Sequence, residues 1–154
     1  MTPAIQAAKR AKIDFSIHEY EHDPSAESWG LEAAGKLGLD PARVFKTLVV
    51  TAGPDLVVAV LPVAEHLNLK RLARAVGAKK AAMADVKQVE RTTGYVVGGV
   101  SPLGQKKRLA TVIDQSAEGF DTIFVSGGRR GLDIELSPRD LAALTRASFV
   151  SVIR

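Results

Sequence analysis

The residues with the clearest chemical potential are a glycine-rich run over residues 98–107 and a single lysine, Lys46. The run holds Gly98, Gly99 and Gly104, together with one proline and two lysines. Glycine permits positive φ and close approach of the backbone, and successive backbone amides can form a concave site for an anion or a carbonyl oxygen. We therefore expect this loop to bind a ligand through main-chain groups.

Lys46 lies within residues 44–50, whose β-branched and aromatic content predicts a strand. Alternation along a strand places Lys46 on the same face as Val44, Leu48 and Val50. A lysine among aliphatic side chains is partly desolvated, which lowers its pKa or favours an anionic partner, and such groups concentrate at functional sites. The alternative is an edge-strand lysine whose stem extends to water and which has no chemical role.

Three conventional sites receive little support from the spacing. The glycine run has Gln105 where a nucleotide-binding P-loop requires a lysine. Ser101 and Ser126 both lie outside a Gly-x-Ser-x-Gly motif, so a serine-hydrolase triad is not favoured. The chain has no cysteine and three histidines, and the predicted strand separates the environments of His18 and His22. No metal site is therefore predicted.

Three motifs follow one another along the chain, and together they point to a known family. They are Phe45-Lys46-Thr47-Leu48, the run over residues 98–107, and Ser126-Gly127-Gly128-Arg129-Arg130-Gly131-Leu132. In this order they resemble the YbaK branch of the aminoacyl-tRNA deacylases, which are related to the editing domain inserted in bacterial prolyl-tRNA synthetases. The resemblance extends over essentially the whole chain and implies one editing domain over residues 1–154.

The resemblance implies a trans-editing enzyme that deacylates mischarged Cys-tRNA(Pro), with Cys-tRNA(Cys) as a further candidate substrate. The lysine of the family motif matches Lys46, which is the predicted catalytic residue. Many relatives carry phenylalanine where this chain has Trp29. The predicted substrate-binding residues are Tyr20, Trp29, Thr47, Gly98, Gly99, Val100, Ser101, Pro102, Ser126, Gly127 and Gly128.

The implied substrate is an activated ester, so its hydrolysis requires positioning and oxyanion stabilisation more than a strong protein nucleophile. The backbone amides of residues 99–101 are candidates for binding the oxyanion or the terminal adenosine. Lys46 is a candidate for binding either the adjacent phosphate or the carbonyl oxygen. A cysteinyl substrate could also supply its own thiol as the nucleophile, in which case the reaction would be of the lyase type.

Two other functions remain open at this stage. One is a deacylase for a different mischarged tRNA, such as Ala-tRNA(Pro). The other is a non-catalytic module that binds tRNA or a synthetase through basic loops. The expected partners are aminoacyl-tRNA, in particular tRNA(Pro), and prolyl-tRNA synthetase as a second candidate. No cofactor, membrane or DNA is expected as a partner.

Composition is compatible with these expectations. The chain has 154 residues, is 46% hydrophobic, and carries a formal net charge of +4. This length suits one compact domain, and no apolar run approaches the roughly 20 residues that span a bilayer. The start of the sequence lacks a signal-peptide hydrophobic core, so a cytoplasmic location is predicted. Basic residues occur in short clusters that together could follow a phosphate backbone.

The elements that must position these residues alternate between strands and helices, which predicts an α+β fold. We expect a mixed, mostly antiparallel sheet, and the family resemblance implies that it curls into a partly open barrel with surrounding helices. The predicted helices begin at residue 3, span 31–37, 69–76 and 86–93, and begin again at residue 138. The predicted strands span 15–20, 44–51, 56–61, 80–83, 109–113, 122–125, 133–135 and 148–153.

Overall fold

The computed structural model describes residues 1–154 and contains five α-helices and eight strands. The helices are α1 (Pro3–Ala11), α2 (Trp29–Leu37), α3 (Leu69–Ala75), α4 (Val86–Thr93) and α5 (Pro138–Thr145). The strands are β1 (Phe15–Glu19), β2 (Phe45–Ala52), β3 (Asp55–Pro62), β4 (Ala81–Met83), β5 (Ala110–Asp114), β6 (Ile123–Arg129), β7 (Leu132–Leu136) and β8 (Ser148–Val150).

The strands form two sheets. The larger sheet has the order β4-β2-β3-β5-β8, antiparallel at its first two pairings and parallel at its last two. The smaller sheet, β1-β7-β6, is antiparallel throughout. One isolated parallel bridge, between Val44 and Phe124, joins the two sheets. The predicted α+β fold with mixed, mostly antiparallel strand pairing is confirmed. The two sheets do not close into a barrel.

Local sequence signals explain most of the boundaries. The side chain of Thr2 accepts a hydrogen bond from the N–H of Ile5 and so caps α1, while Asn68 and Asp85 cap α3 and α4 in the same way. Gly94 ends α4 with φ at +82°, a conformation that glycine adopts without strain. Strand β3 is buried on both faces from residue 57 to residue 62, as its continuous aliphatic sequence predicts.

The Ser126-Gly127-Gly128 segment differs from the prediction, because it continues β6 instead of forming a loop. Pairing with β7 extends to Arg129, and a bulge between Ser126 and Arg129 absorbs the extra residues. The turn lies one step later, where Gly131 has φ at +85°. The glycine-rich composition suggested a turn, but the two glycines form the bulge within β6, where Gly128 has φ at +110°.

The main hydrophobic core lies between the two sheets and under α1, α4 and α5, with Ile113, Ile123, Ile134 and Leu141 completely buried. A second cluster packs α3 on the outer face of the larger sheet through Leu72. A third and smaller cluster packs α2 where the two sheets meet. No helix is long and apolar enough to cross a membrane.

Candidate functional site

A cavity of about 520 Å³ opens where the two sheets meet. Its wall is formed by β2, the start of α2, the start of α4, the glycine-rich loop and the β6–β7 hairpin. More than half of the lining residues are hydrophobic, and the volume suits a small organic ligand. Two other depressions, of about 590 and 410 Å³, do not include Lys46, and Pro102 is the one predicted site residue that lines either of them. The first cavity is therefore the candidate site.

The structure brings seven of the predicted site residues together in this cavity. The lining residues among them are Tyr20, Trp29, Lys46, Thr47, Gly98, Val100 and Ser126. The other five predicted residues lie behind the wall or outside it. They are Gly99, Ser101, Pro102, Gly127 and Gly128. The three motifs thus converge on one place. The Phe45–Leu48 motif lies wholly in the cavity wall, whereas only part of each of the other two motifs reaches the cavity surface.

The side chain of Lys46 extends from β2, and its ammonium forms no hydrogen bond or ion pair with any other residue. Burial lowers the pKa of the Lys46 ammonium, and the negative charge of Glu65 partly offsets that effect. An ammonium that is half-buried and unpaired attracts an anion or a carbonyl oxygen entering the cavity. Its predicted desolvation is therefore confirmed.

Thr47, the next residue on β2, carries a hydroxyl that is buried and has no hydrogen-bond partner. An unsatisfied buried hydroxyl costs about 1–3 kcal/mol, which a bound ligand can recover. Tyr20 lines the same cavity, and burial, followed by the nearby charge of Asp133, raises the pKa of the Tyr20 hydroxyl. Tyr20 consequently remains a neutral donor at physiological pH.

Asp133 is the functional candidate that the sequence did not reveal. It lies on β7 directly opposite His18 of β1 and Ser126 of β6, is 7% exposed, and lines the cavity. Its carboxyl accepts no hydrogen bond within the chain, and burial raises the pKa of Asp133 to about 7. Alternation along Leu132–Leu136 indicates only a polar face, so the sequence carried no signal that this face is covered.

The backbone of the glycine-rich loop offers unused donors. The N–H groups of Gly98, Val100 and Ser101 make no hydrogen bond within the chain, whereas the N–H of Gly99 donates to Val96 O at 2.9 Å. Gly98 and Val100 also line the cavity. Of the amides of residues 99–101 that were expected to bind substrate, that of Gly99 is therefore occupied, while those of Val100 and Ser101 have no acceptor within the chain.

The remaining loop residues hold the loop in place. A side chain at Gly99 would lie 2.8 Å from the Cα of Arg129, so this glycine packs against the β6–β7 backbone instead of facing the cavity. Ser101 is fully buried and its hydroxyl accepts from the N–H of Leu103. The Tyr95 hydroxyl donates to Leu103 O at 2.6 Å, and burial raises the pKa of Tyr95 to about 12.

Arg130 joins three parts of the cavity rim. Its guanidinium carbon lies 3.7 Å from the centre of the Trp29 ring, a stacked cation–π arrangement. It also donates to Val97 O at 3.0 Å. A side chain at Gly98 would collide with both Arg130 and Trp29, at 2.5 and 2.7 Å. Glycine at position 98 is therefore required by the close approach of α2 and the hairpin.

The arrangement contains no serine-hydrolase triad. Ser126 and His18 are separated by the intervening strand β7, roughly 10 Å at the usual strand spacing. His18 Nε2 lies 2.9 Å from Glu135, and His22 Nδ1 lies 2.7 Å from Glu32. The two histidines thus occupy different environments, as predicted. No group of three metal-binding side chains converges anywhere in the chain.

Comparisons with known proteins point to one family. A sequence model of the aminoacyl-tRNA editing domain matches residues 23–144. An Enterococcus faecalis protein described as "Putative Cys-tRNA(Pro)/Cys-tRNA(Cys) deacylase EbsC" is 40% identical over 98% of this chain and 92% of its own length. A proline–tRNA ligase from Geobacter metallireducens is 31% identical over 85% of this chain and 24% of the ligase. The crystal structure of a "putative trans-editing enzyme for prolyl tRNA synthetase" superimposes with a TM-score of 0.86 at 23% identity, covering 100% of this chain and 99% of that one.

Proposed function

The chain belongs to the aminoacyl-tRNA editing domain family, and from this premise we propose that residues 1–154 form one editing domain. Its reaction is the deacylation of mischarged Cys-tRNA(Pro), with Cys-tRNA(Cys) as a further substrate. Similarity to the Enterococcus protein over nearly the full length of both chains supports this substrate class. Similarity to part of a proline–tRNA ligase supports a tRNA or synthetase partner.

The observation that carries the proposal is the presence of an ammonium and a carboxyl group inside one mostly apolar cavity. Lys46 supplies a half-buried ammonium, Asp133 supplies a buried carboxyl, and neither has an ion-pair partner. The 3′ end of an aminoacyl-tRNA carries an α-ammonium next to an ester carbonyl and a backbone phosphate. Asp133 would bind the α-ammonium, and Lys46 would bind the carbonyl oxygen or the phosphate.

The backbone amides of Gly98 and Val100 supply further hydrogen-bond donors in the cavity. Both lie in the cavity wall and neither has an acceptor within the chain. Free N–H groups held on a rigid loop stabilise an oxyanion without reorganising during the reaction. We assign them to the ester oxygen or to the terminal ribose. The unpaired hydroxyl of Thr47 is a further donor for the same group.

Ser126 lines the cavity without a histidine beside it, so we do not assign it as a nucleophile. In the reaction we propose, the substrate's thiol sulfur attacks its own ester carbonyl carbon. The bond from that carbon to the ribose oxygen breaks, and the ribose hydroxyl takes up the proton that the thiol lost. Water then hydrolyses the resulting cyclic thioester to cysteine. Direct attack by water on the ester is the alternative route.

Two other functions keep some support from the same cavity. Its largely hydrophobic wall would also accept alanine, which has no thiol, so a deacylase for Ala-tRNA(Pro) is the second candidate. A non-catalytic module that binds tRNA or prolyl-tRNA synthetase is the third. The buried carboxyl and the unpaired lysine favour an enzyme, since simple binding of RNA phosphates requires only exposed cations.

A substrate panel tests the proposal. The purified protein is incubated with Cys-tRNA(Pro), Ser-tRNA(Pro) and Ala-tRNA(Pro), and the rate of amino acid release is measured for each. Serine differs from cysteine only by oxygen in place of sulfur, which makes it the matched control for the thiol. We expect cysteine to be released more than about tenfold faster than serine or alanine. Equal release of alanine would assign the second candidate, and tRNA binding without release would assign the third.

A further inference from the structure

The outer surface of α4 carries two cations on one side of the helix. Lys87 and Arg91 are four residues apart and both are exposed, so their side chains are neighbours. Val89 and Thr93 occupy the opposite side of the helix and are buried. The helix therefore presents two cations to solvent, about 6 Å apart along an axis of about 12 Å for eight residues.

The segment after the glycine-rich loop extends this surface. The N–H groups of Lys106 and Lys107 donate to the carbonyl oxygens of Thr93 and Thr92, at 2.9 and 3.2 Å. These bonds place both lysines beside the end of α4 instead of over the loop amides. Arg108 follows directly and lines the depression of about 410 Å³ together with Arg10 of α1. We call these residues the α4 cation face: Lys87, Arg91, Lys106, Lys107, Arg108 and Arg10.

The α4 cation face has no carboxylate partner. All five ion pairs of the protein involve other residues, located on β1, α2, β6, β7 and the segments beside them. Glu90, the one acidic residue within α4, accepts a hydrogen bond from the N–H of Val97. Cations near the end of α4 favour its dipole, but that effect fades within one turn and leaves Lys87, Arg108 and Arg10 unexplained.

The face lies on the solvent side of α4, and the other side of the same helix forms part of the wall of the candidate site. Val86 and Val89 of α4, together with Val97 and Gly98 of the loop, form part of the cavity wall. A polymer whose end occupies the cavity would leave it beside α4. Other exposed cations, such as Lys70 and Arg74 on α3, belong to a helix that contributes nothing to that wall.

We propose that the α4 cation face binds the phosphate backbone of the tRNA acceptor stem while the aminoacylated 3′ end occupies the cavity. The inference rests on the proposed function, since it takes tRNA as the substrate. Contacts between exposed cations and phosphates supply affinity and orientation without reading sequence. The face would therefore hold any tRNA whose 3′ end fits the cavity, and amino acid selection would stay with the cavity.

Charge-neutralising variants and a matched control test this assignment. The test variant carries Lys87→Gln, Arg91→Gln, Lys106→Gln and Lys107→Gln. The control carries Lys70→Gln, Arg74→Gln, Lys79→Gln and Lys80→Gln, which also removes four exposed cations, from α3 and the segment that follows it. Each protein is assayed for kcat/KM on Cys-tRNA(Pro) and on the aminoacylated trinucleotide CCA-Cys, which lacks the stem.

We expect the test variant to lose about tenfold or more in kcat/KM on the full tRNA and less than about twofold on the trinucleotide. The control should stay within about twofold on both substrates. An equal loss on both substrates would overturn the proposal, because the cations would then act on the cavity. An equal loss in the control would also overturn it, because net charge rather than this face would then determine affinity.

Binding of uncharged tRNA separates this inference from the proposed function. The dissociation constant is measured against salt concentration for the three proteins, and this readout requires no deacylation. The slope of log Kd against log salt should fall by roughly 0.7–0.9 for each phosphate that the test variant no longer neutralises. If the wild type binds tRNA without deacylating it, the proposed function fails, but the assignment of the α4 cation face as a tRNA-binding surface remains valid. Identical slopes in all three proteins would show that the α4 cation face does not bind the phosphate backbone, and would overturn the proposal.

Discussion

Among single residues, Asp133 combines burial with a carboxyl that has no partner in the chain. Its neighbours on the same face of the smaller sheet are His18 and Ser126, and neither donates a hydrogen bond to it. A carboxyl in such a position favours its neutral form in the absence of ligand, and favours its charged form when an ammonium enters. Ligand binding and proton release are thereby coupled at this residue.

Replacing Asp133 with asparagine should stabilise the protein at alkaline pH and weaken its reaction. Because the folded pKa of about 7 lies above the usual 3.8, the folded wild type loses stability as pH rises from about 4 to about 7. Asparagine does not titrate, so at pH 8 the Asp133→Asn variant should be more stable by about 4 kcal/mol and at pH 4 nearly equal. Urea unfolding at the two pH values measures both differences.

The same variant separates stability from function. Removal of the carboxyl should lower kcat/KM on Cys-tRNA(Pro) by roughly tenfold or more, because the α-ammonium loses its counter-charge. A variant that is destabilised at pH 8 would contradict the assigned pKa. A variant that keeps full activity would remove Asp133 from the site.

Residue types alone predicted Lys46 as a site residue but missed Asp133. Lys46 stands out because a charge interrupts an aliphatic strand, and that contrast is visible in the sequence. Asp133 occupies the polar half of a regular alternation, which normally faces water. Its burial depends on the pairing of β1, β7 and β6 and on the packing of α2 near that face, and the β1–β7 pairing joins residues more than 100 positions apart.

At the scale of elements, the glycine-rich loop is held by its contact with the β6–β7 hairpin. Gly99 meets the backbone of Arg129, and the Arg130 side chain reaches Val97 O and the ring of Trp29. The free amides of the loop are thus fixed from behind by a second element. This support explains why a long irregular segment can present main-chain donors in a defined geometry.

The substitution Gly99→Ala tests this support. The new Cβ would lie 2.8 Å from a backbone atom of Arg129, so the loop or the hairpin must shift. We expect a loss of about 1–3 kcal/mol in the free energy of unfolding, measured by urea titration. The control is Gly35→Ala in α2, where nothing lies within 4 Å of the new methyl group.

The control should move in the opposite direction, because alanine is favoured over glycine inside a helix by about 0.5–1 kcal/mol. If both variants were stabilised, the loop would have room for a side chain and its close packing against the hairpin would be disproved. From the sequence, Gly99 was predicted to bind substrate, and its packing against the hairpin was not foreseen. The contact with β6 that requires glycine at this position depends on the continuation of β6 through Ser126-Gly127-Gly128.

At the scale of the whole molecule, the cavity lies at the junction of the two sheets. Strand β2 of the larger sheet carries Lys46, and strand β7 of the smaller sheet carries Asp133. The Val44–Phe124 bridge and the packing of α2 hold the sheets together at this place. The ammonium and the carboxyl therefore reach one cavity only when both sheets are assembled.

Helix caps, the β2–β3 hairpin and the order of elements could be predicted from local sequence signals. The division of the strands into two sheets could not, because strand β1 pairs with β7 across most of the chain length. The basic clusters were visible singly, and only the backbone bonds from Lys106 and Lys107 to α4 show which of them share one surface.

The most direct test of the central claim measures cysteine release from Cys-tRNA(Pro) by the wild type, by Lys46→Ala and by Lys36→Ala. Lys36 is an exposed lysine on α2 outside the cavity wall, so it serves as the matched control. We predict a loss of at least about a hundredfold in kcat/KM for Lys46→Ala, and wild-type rates for the control. Wild-type activity in a folded Lys46→Ala protein would contradict the assignment of this cavity as the active site.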